Sequence, residues 1–391
     1  MSLAIRAALI AILLAFPCQA FAQGTVLDVL RFLMTNRSVV TDDFVRDEDA
    51  ARKSADAVAG LLASELGHLP IAPGAGGFAY RFNPQIGAME RASESFGPFF
   101  VDRAMTSGRG RATLSAAFSQ RTFRRIDGAL LRDGTLVATS SRLASEATPF
   151  DTETLTLRIT TRTAALVGTV GLTDRLDVGV AVPLVWIALE GERVDRYRGR
   201  AEVQATATAT GTGLGDVAIR AKYRVAGGGP SAVAIAVDVR LPTGDETNLL
   251  GTGETQIEAR VVASISTGRF GLHGLAGPIF GGTSRGFEAS GAATLAASSR
   301  VTVGGELLLQ HFDNASRLLA VTSPHPQIAD VFTTRLTAEE DAASRARAVF
   351  GVKWNLGSTC LLSAHAERAI GDGGLTAGWV PMLSLDYSFG R

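Results

Sequence analysis

Beyond its first two dozen residues the chain has no uninterrupted apolar run near the roughly 18 residues that a membrane helix requires, which excludes a helical membrane protein. Cysteine is almost absent, with Cys18 and Cys360 the only two. Cys18 falls in the leader described below, so no intramolecular disulfide is expected and Cys360 reads as a small apolar strand residue. The five histidines, His68, His273, His311, His325 and His365, show neither H-x-x-x-H spacing nor a neighbouring C-x-x-C, so no metal site and no cofactor are expected. Charge of one sign is missing as well. Thirty-eight basic residues balance 38 acidic ones, which argues against nucleic acid as a partner and against strong electrostatic steering.

Chemistry-bearing motifs are equally scarce. The runs GTGLG (211–215) and GTGE (251–254) lack the lysine and the strand-to-helix setting of a phosphate loop and read as turns. Ser363 and His365 share one strand face, but two residues apart on a strand is a common coincidence and no third partner stands out. No catalytic residue is assigned, and the chain is not read as an enzyme.

What the chain does have is an export signal and many alternating segments. Residues 1–22 carry Arg6, an apolar run over 7–16 and the small-x-small site Ala20-Phe21-Ala22, so a signal peptide cleaved before Gln23 is expected. Cys18 follows Phe16 and Pro17 and does not have the surroundings of a lipid anchor. The 43 glycines suit many turns and curved strands.

Residues 213–245 show the repeating unit. Val217, Ile219, Ala221, Tyr223 and Val225 fall on one face, with Asp216, Ala218, Arg220, Lys222 and Arg224 on the other. After a glycine-rich turn at 227–231 the alternation resumes, with Val233, Ile235, Val237 and Val239 against Ala234, Ala236, Asp238 and Arg240. Each run has the length of a tilted strand crossing a bilayer. Taken alone, the hairpin fits either a soluble sheet with its apolar face inside or an outer-membrane barrel with its charges lining the lumen.

The export signal and the whole series of segments favour the barrel. Twelve strands are expected, over 111–123, 155–172, 176–189, 214–226, 232–241, 256–266, 272–280, 288–297, 301–312, 347–356, 360–370 and 379–389. Short turns at 173–175, 227–231, 267–271, 298–300 and 357–359 alternate with connections that include long polar loops at 124–154, 190–213, 242–255 and 313–346. That is the pattern of an all-β, antiparallel up-and-down transmembrane barrel with periplasmic turns and extracellular loops. In this topology Trp186 and Trp379 fall near the extracellular ends of strands, and Trp354, Tyr223 and Tyr387 near the periplasmic ends, where girdle aromatics belong. Phe389 is the last aromatic, followed by Gly390 and Arg391, whereas such barrels commonly end on the aromatic that the assembly machinery reads.

The expected domains are a signal peptide (1–22), a helical or irregular segment (23–98) acting as a plug or periplasmic cap, and the barrel (99–391). In the second, Leu27, Val29, Leu30, Leu33 and Met34 suggest one short helix, and Ala51, Ala55, Val58, Leu61 and Leu62 a second over 43–66. Phe78, Tyr80 and Phe82 alternate after the loop 70–77. The lumen-lining charged candidates are Arg158, Arg162, Arg220, Lys222, Arg224, Asp238, Arg240, Glu258, Arg260, Glu306, Lys353, Glu367 and Asp386, with Asp216 on the same polar parity. Mixed signs suggest salt bridges filling a narrow lumen rather than an ion-selective ring. Counting back from a pairing of Ala226 with Ala232 sets Arg220 opposite Asp238. Placing Arg240 opposite Glu258 then sets Asp238 opposite Arg260.

Five segments together resemble the meta-pathway phenol-degradation (MetA-like) family of outer-membrane proteins. They are GGFAYRFNPQIG (76–87), SFGPFFVDRAMTSGRGR (95–111), GLTDRLDVGVAVPLV (171–185), GLGDVAIRAKYR (213–224) and LPTGDE (241–246). The resemblance implies a barrel in the outer membrane of a Gram-negative bacterium, in contact with outer-membrane lipid and inserted by the assembly machinery. It further implies passive transport of small hydrophobic or aromatic molecules, and it names no catalytic residue. The alternative is a structural or surface-interaction barrel with a sealed lumen and exposed loops. The first helices match nothing in the family.

Overall fold

The computed structural model describes residues 24–35, 43–67, 80–83, 88–91, 93–228, 230–281, 285–357 and 359–389. The expected leader with Cys18, the loop 70–77, Phe78, and Gly390 with Arg391 lie outside the described residues.

Two helices come first, α1 (Val26–Met34) and α2 (Phe44–Gly67). The Thr25 hydroxyl accepts the Asp28 N–H at 3.1 Å while Asp28 accepts the Thr25 N–H at 3.2 Å, a reciprocal cap that starts α1. Val26, Leu30, Leu33 and Met34 form its buried stripe, and Ala51, Ala55, Val58, Leu62 and Leu66 that of α2. A separate two-stranded hairpin, β1 (Tyr80–Asn83) and β2 (Ala88–Arg91), follows.

Among the described residues twelve strands then close into an antiparallel barrel. They are β3 (Ala112–Ile126), β6 (Asp151–Gly171), β7 (Leu176–Tyr197), β9 (Val217–Gly227), β10 (Ser231–Leu241), β11 (Gln256–Thr267), β12 (Phe270–Gly281), β13 (Gly286–Ala296), β14 (Val301–Pro324), β15 (Val331–Gly357), β16 (Cys360–Ile370) and β18 (Trp379–Phe389). The barrel closes where β3 pairs with both β6 and β18. Four further strands, β4 (Ala129–Leu130), β5 (Leu136–Leu143), β8 (Arg200–Leu214) and β17 (Leu375–Ala377), add to the wall at the end away from the short turns.

The outer surface around the turn-rich half is apolar. Leu114, Leu166, Ile219, Ile235, Val261, Leu272, Leu307 and Leu383 are all exposed there, which only lipid can cover at so many positions. Trp354, Tyr223, Tyr387 and Phe389 stand outward near the short-turn end, with Trp379 outward and Trp186 half-buried near the other. This belt with its aromatic rims makes the chain an outer-membrane β-barrel.

Two expected loops are strands instead. Residues 190–213 form the upper part of β7, a two-residue turn and β8, and 313–346 form the upper parts of β14 and β15. The first turn is Arg198-Gly199, both at positive φ (46° and 83°), as a type I′ hairpin turn requires. With 21 to 27 residues each, β6, β7, β14 and β15 run well past the apolar belt.

The extended wall encloses the two helices. Leu155, Leu157 and Ile159 of β6 and Val185, Ile187 and Leu189 of β7 point inward onto α1 and α2 and share one core with them. Lower on the same strands Leu166 and Val180 point outward. Side-chain direction alternates without a break, but the apolar set changes sides at the membrane surface. Below it lipid lies outside; above it water lies outside and helices lie inside.

That switch corrects two assignments. Arg158 and Arg162 do not line the lumen: both are exposed, Arg158 facing Glu190 across the strand pair at 3.8 Å and Arg162 bonded to Gln120 at 3.1 Å.

Candidate functional site in the barrel lumen

The wall leaves its own bore unfilled. Inward residues at the periplasmic end are small, among them Ala232, Ala234, Ala236, Ser264, Thr294, Thr302, Ser363 and Ser384. Residues 93–110, the segment leading into β3, lie against them. Phe99, Val101 and Met105 pack in one cluster with Ala232, Ala234, Ala236 and Val262, and Phe96 packs on Leu361.

Polar bonds fix this segment at discrete points. Glu306 accepts the backbone N–H groups of Phe99, Phe100 and Val101, the last at 3.0 Å. Lys353 donates to the Pro98 carbonyl at 2.5 Å. Thr302 accepts the Phe96 N–H, Ser264 the Ala104 N–H and Asp177 the Ser107 N–H, at 3.0, 3.0 and 2.9 Å. The His365 ring stacks on Phe99 with centroids 4.7 Å apart and meets Phe100 edge-on; it is a packing surface for the segment.

The charged candidates on β9, β10 and β11 form one chain. Arg220 grips Asp238 with two bonds of 2.7 and 2.5 Å, and Arg260 also bonds Asp238. Arg260 further reaches Glu258 at 3.4 Å and Glu288 at 3.3 Å, and Arg240 stands 3.8 Å from Glu258. At the other end Asp102, from the lumenal segment, bonds Lys222 at 3.0 Å and lies 3.7 Å from Arg220. Burial opposes the charge on Asp102, but Lys222 and then Arg220 outweigh it and hold the carboxyl below its usual range. A cavity of about 50 Å³ lies among these groups, bounded by Phe100 and Val101.

The expected register holds for one hairpin and slips in the next. Arg220 does face Asp238, although a bulge near Val233 sets Ala226 opposite Val233 rather than Ala232. In the second hairpin Arg240 faces Gln256, Asp238 faces Glu258 and Arg260 faces Ala236, two residues from the expectation. The long connection 242–255 carries no turn geometry from which to count. Arginine reaches its diagonal neighbour, so Arg260 still meets Asp238 and also lies between two carboxylates that face each other.

Of the other candidates, Glu367 lies 3.3 Å from Arg121 and 3.8 Å from Arg347. Asp386 is buried on the inward face of β18. Arg224 sits at the periplasmic rim, bonded to the carbonyls of Gly227 and Asp174. Asp216 is buried but holds the loop above, accepting the N–H groups of Gly244 and Thr252.

A further set of buried arginines was missed. Arg335 binds Asp43 and Asp47 at 2.9 and 2.6 Å, Arg345 binds Glu65 at 3.0 Å, and Arg193 binds Glu153 at 2.8 Å and the carbonyl of Leu33 at 3.3 Å. They tie α1 and α2 to the upper wall. The signal was present in the sequence: stepping from Lys353 by twos reaches Arg347, Arg345 and Arg335 on the same face, had the strand been continued through its polar stretch.

No protein of curated function matches the chain. Three solved structures similar to it are a COG4313 outer membrane channel from Pseudomonas putida F1 (TM-score 0.43, 14% identity, covering 72% of this chain and 96% of that one), the KdgM porin in complex with oligogalacturonate (0.37, 7%, 71% and 99%), and the P. putida toluene transporter TodX (0.34, 8%, 72% and 90%). Residues 136–318 match the family model described as "Putative MetA-pathway of phenol degradation", a span that takes in three of the five segments quoted above and leaves 76–87 and 95–111 outside it. Over that span, a little under half of the chain, the barrel is similar to the family its motifs resemble.

Proposed function

We propose that the protein is a gated passive transporter for small hydrophobic or aromatic molecules, with residues 93–110 and the two helices as its closure, and that it catalyses no reaction. The observation that carries this reading is that residues 93–110 lie inside the bore, packed on small inward wall residues, beside the wall's own charged network. A barrel built only to be sealed has the simpler option of filling its lumen with large inward residues, as small barrels do. Here many inward wall residues where the segment lies are alanine, serine and threonine, with Glu306, Lys353, Asp177 and Lys222 among them as its polar partners. The contacts that hold the segment are separate hydrogen bonds, which can be exchanged for water one at a time. The toluene transporter among the similar structures agrees with the proposed substrate class without carrying it.

Uptake by liposomes containing the purified barrel tests the reading. A neutral single-ring solute is expected to enter faster than sucrose, and Glu306→Ala, which loosens the segment, is expected to raise that rate. If neither protein passes any aromatic solute while both are folded, the barrel is a sealed structural one with its outer hairpins as contact surface.

A further inference from the structure

A second cavity, of about 130 Å³, lies higher in the lumen between α2, the upper wall and the connection 371–378. Three arginines line it, Arg121, Arg345 and Arg347, each more than nine-tenths buried. Their buried acidic partners number two. Glu65 bonds Arg345 at 3.0 Å and Glu367 bonds Arg121 at 3.3 Å, with Arg347 standing 3.8 Å from both carboxylates. Asp372 also borders the cavity, but it is exposed and faces Arg125 at 3.9 Å. Among the described residues three guanidinium groups are thus ion-paired with two buried carboxylates, while Glu288 acts on Arg347 and Asp127 on Arg345 from farther away.

Hydrogen bonding shows the same surplus. Nε of Arg121, Nε of Arg345 and Nη1 of Arg347 are buried without a hydrogen-bond acceptor among the described residues. Buried guanidinium N–H groups seldom go unpaired, and three around one cavity call for an acceptor that is itself negative. The remaining lining includes Leu375, Ala377, Val380 and Ala369, apolar residues interspersed with the guanidinium groups, Ala369 being the cross-strand partner of Arg347. A cavity of about 150 Å³ is known to hold a benzene ring, so this one suits a single ring or a short aliphatic body. Its rim is the exposed Gly-Asp-Gly at 371–373, on the extracellular side.

We propose that this cavity binds a small monocarboxylate with an apolar body, benzoate being about the largest, with Arg121, Arg345 and Arg347 as the carboxylate site. The role as a stop on the way in rests on the transport reading; the binding itself does not. Three features are then accounted for together: three guanidinium groups against two paired carboxylates, the unpaired N–H groups and the mixed polar and apolar lining. A neutral phenol or alcohol satisfies only the last.

Calorimetric titration of the full barrel in detergent tests this without any flux. Benzoate is expected to bind saturably, and benzyl alcohol at least about tenfold more weakly, the loss that follows removal of a charge-assisted hydrogen bond. Arg345→Gln and Arg121→Gln are each expected to weaken benzoate by a similar factor. Because those variants also touch α2 or the wall, Glu367→Gln supplies the opposite sign: it raises the local charge by one unit and is expected to tighten benzoate. Equal binding of benzyl alcohol, equal competition by chloride, or weakening by Glu367→Gln in a folded barrel each overturns the proposal. Benzoate binding without liposome uptake would instead count against the transport reading and leave the site standing.

Discussion

At the scale of single residues, the lumen is less tolerant than the sequence suggests. Alternation alone implies that Val237→Arg, facing lipid, is costly and that Ala236→Arg, facing the lumen, has space. Val237→Arg is expected to cost about 2–4 kcal/mol, the usual penalty near mid-membrane. Ala236 is 1% exposed and packs with Phe99 and Val101, so Ala236→Arg is expected to be at least as damaging in denaturant unfolding from detergent. Asp238 and Glu306 were both legible as inward acids, but their partners were not, because partners on another strand depend on register and partners on the N-terminal segment on tertiary placement. Asp238→Ala leaves Arg220 and Arg260 facing each other and is expected to lower barrel stability by about 3–5 kcal/mol. Glu306→Ala strips the acceptor from three backbone N–H groups, so its main effect should be faster hydrogen exchange or protease cleavage within 93–110 at little cost to the barrel. Equal loss of barrel stability in both would count against this division of roles. Asp102 adds a pH term. Its folded pKa is depressed, so the docking it stabilises is fully present above the unfolded value of about 3.9 and is lost only as pH falls through the lower folded one. The protection of 93–110, with exchange corrected for its intrinsic pH dependence, should therefore be flat from neutral pH down to about 5 and fall in stronger acid, and Asp102→Asn should remove that fall.

At the scale of elements, the twelve strands and both helices could be read from alternation and helical spacing, whereas the length of the outer strands could not. Residues 190–213 and 313–346 are rich in charge and threonine, and their apolar residues that meet the inner core, such as Ala209 and Leu318, are spaced among polar ones. They look like loops because the usual membrane signal, apolar outward, is reversed once the strand has left the bilayer and helices fill the inside. Arg158 and Arg162 were misplaced for the same reason. The topology makes a direct forecast. Tags at the hairpin tips, between Arg198 and Gly199 or within 325–330, should be tolerated and labelled on intact cells, and tags within the barrel portion of the same hairpins should not be tolerated. A tag in the turn 227–231 should be reached only after the outer membrane is opened. Labelling of 227–231 on intact cells would invert the barrel.

At the scale of the whole molecule, the sequence carries a barrel whose wall has not filled its own lumen and an N-terminal stretch whose apolar stripes have nowhere else to pack. The helices occupy the outer half and 93–110 the inner half; ion pairs of Arg335 and Arg345 tie the helices to the wall, and hydrogen bonds of Glu306 and Lys353 to backbone groups tie 93–110 to it. That the segment 23–98 contains helices was legible; that the helices and residues 93–110 lie within the barrel was not, since no pattern within the segment encodes which surface it meets. The central claim is that passage requires residues 93–110 to shift. Ser95 and Thr294 have their hydroxyl oxygens 3.1 Å apart, close enough for a disulfide after replacement of both by cysteine, in a Cys360→Ser background so that no other thiol among the described residues competes. Uptake of a neutral single-ring solute by liposomes carrying Ser95→Cys/Thr294→Cys is the most direct test. The account predicts uptake near background when the pair is oxidised and restored when it is reduced; uptake that is the same in both states would contradict it.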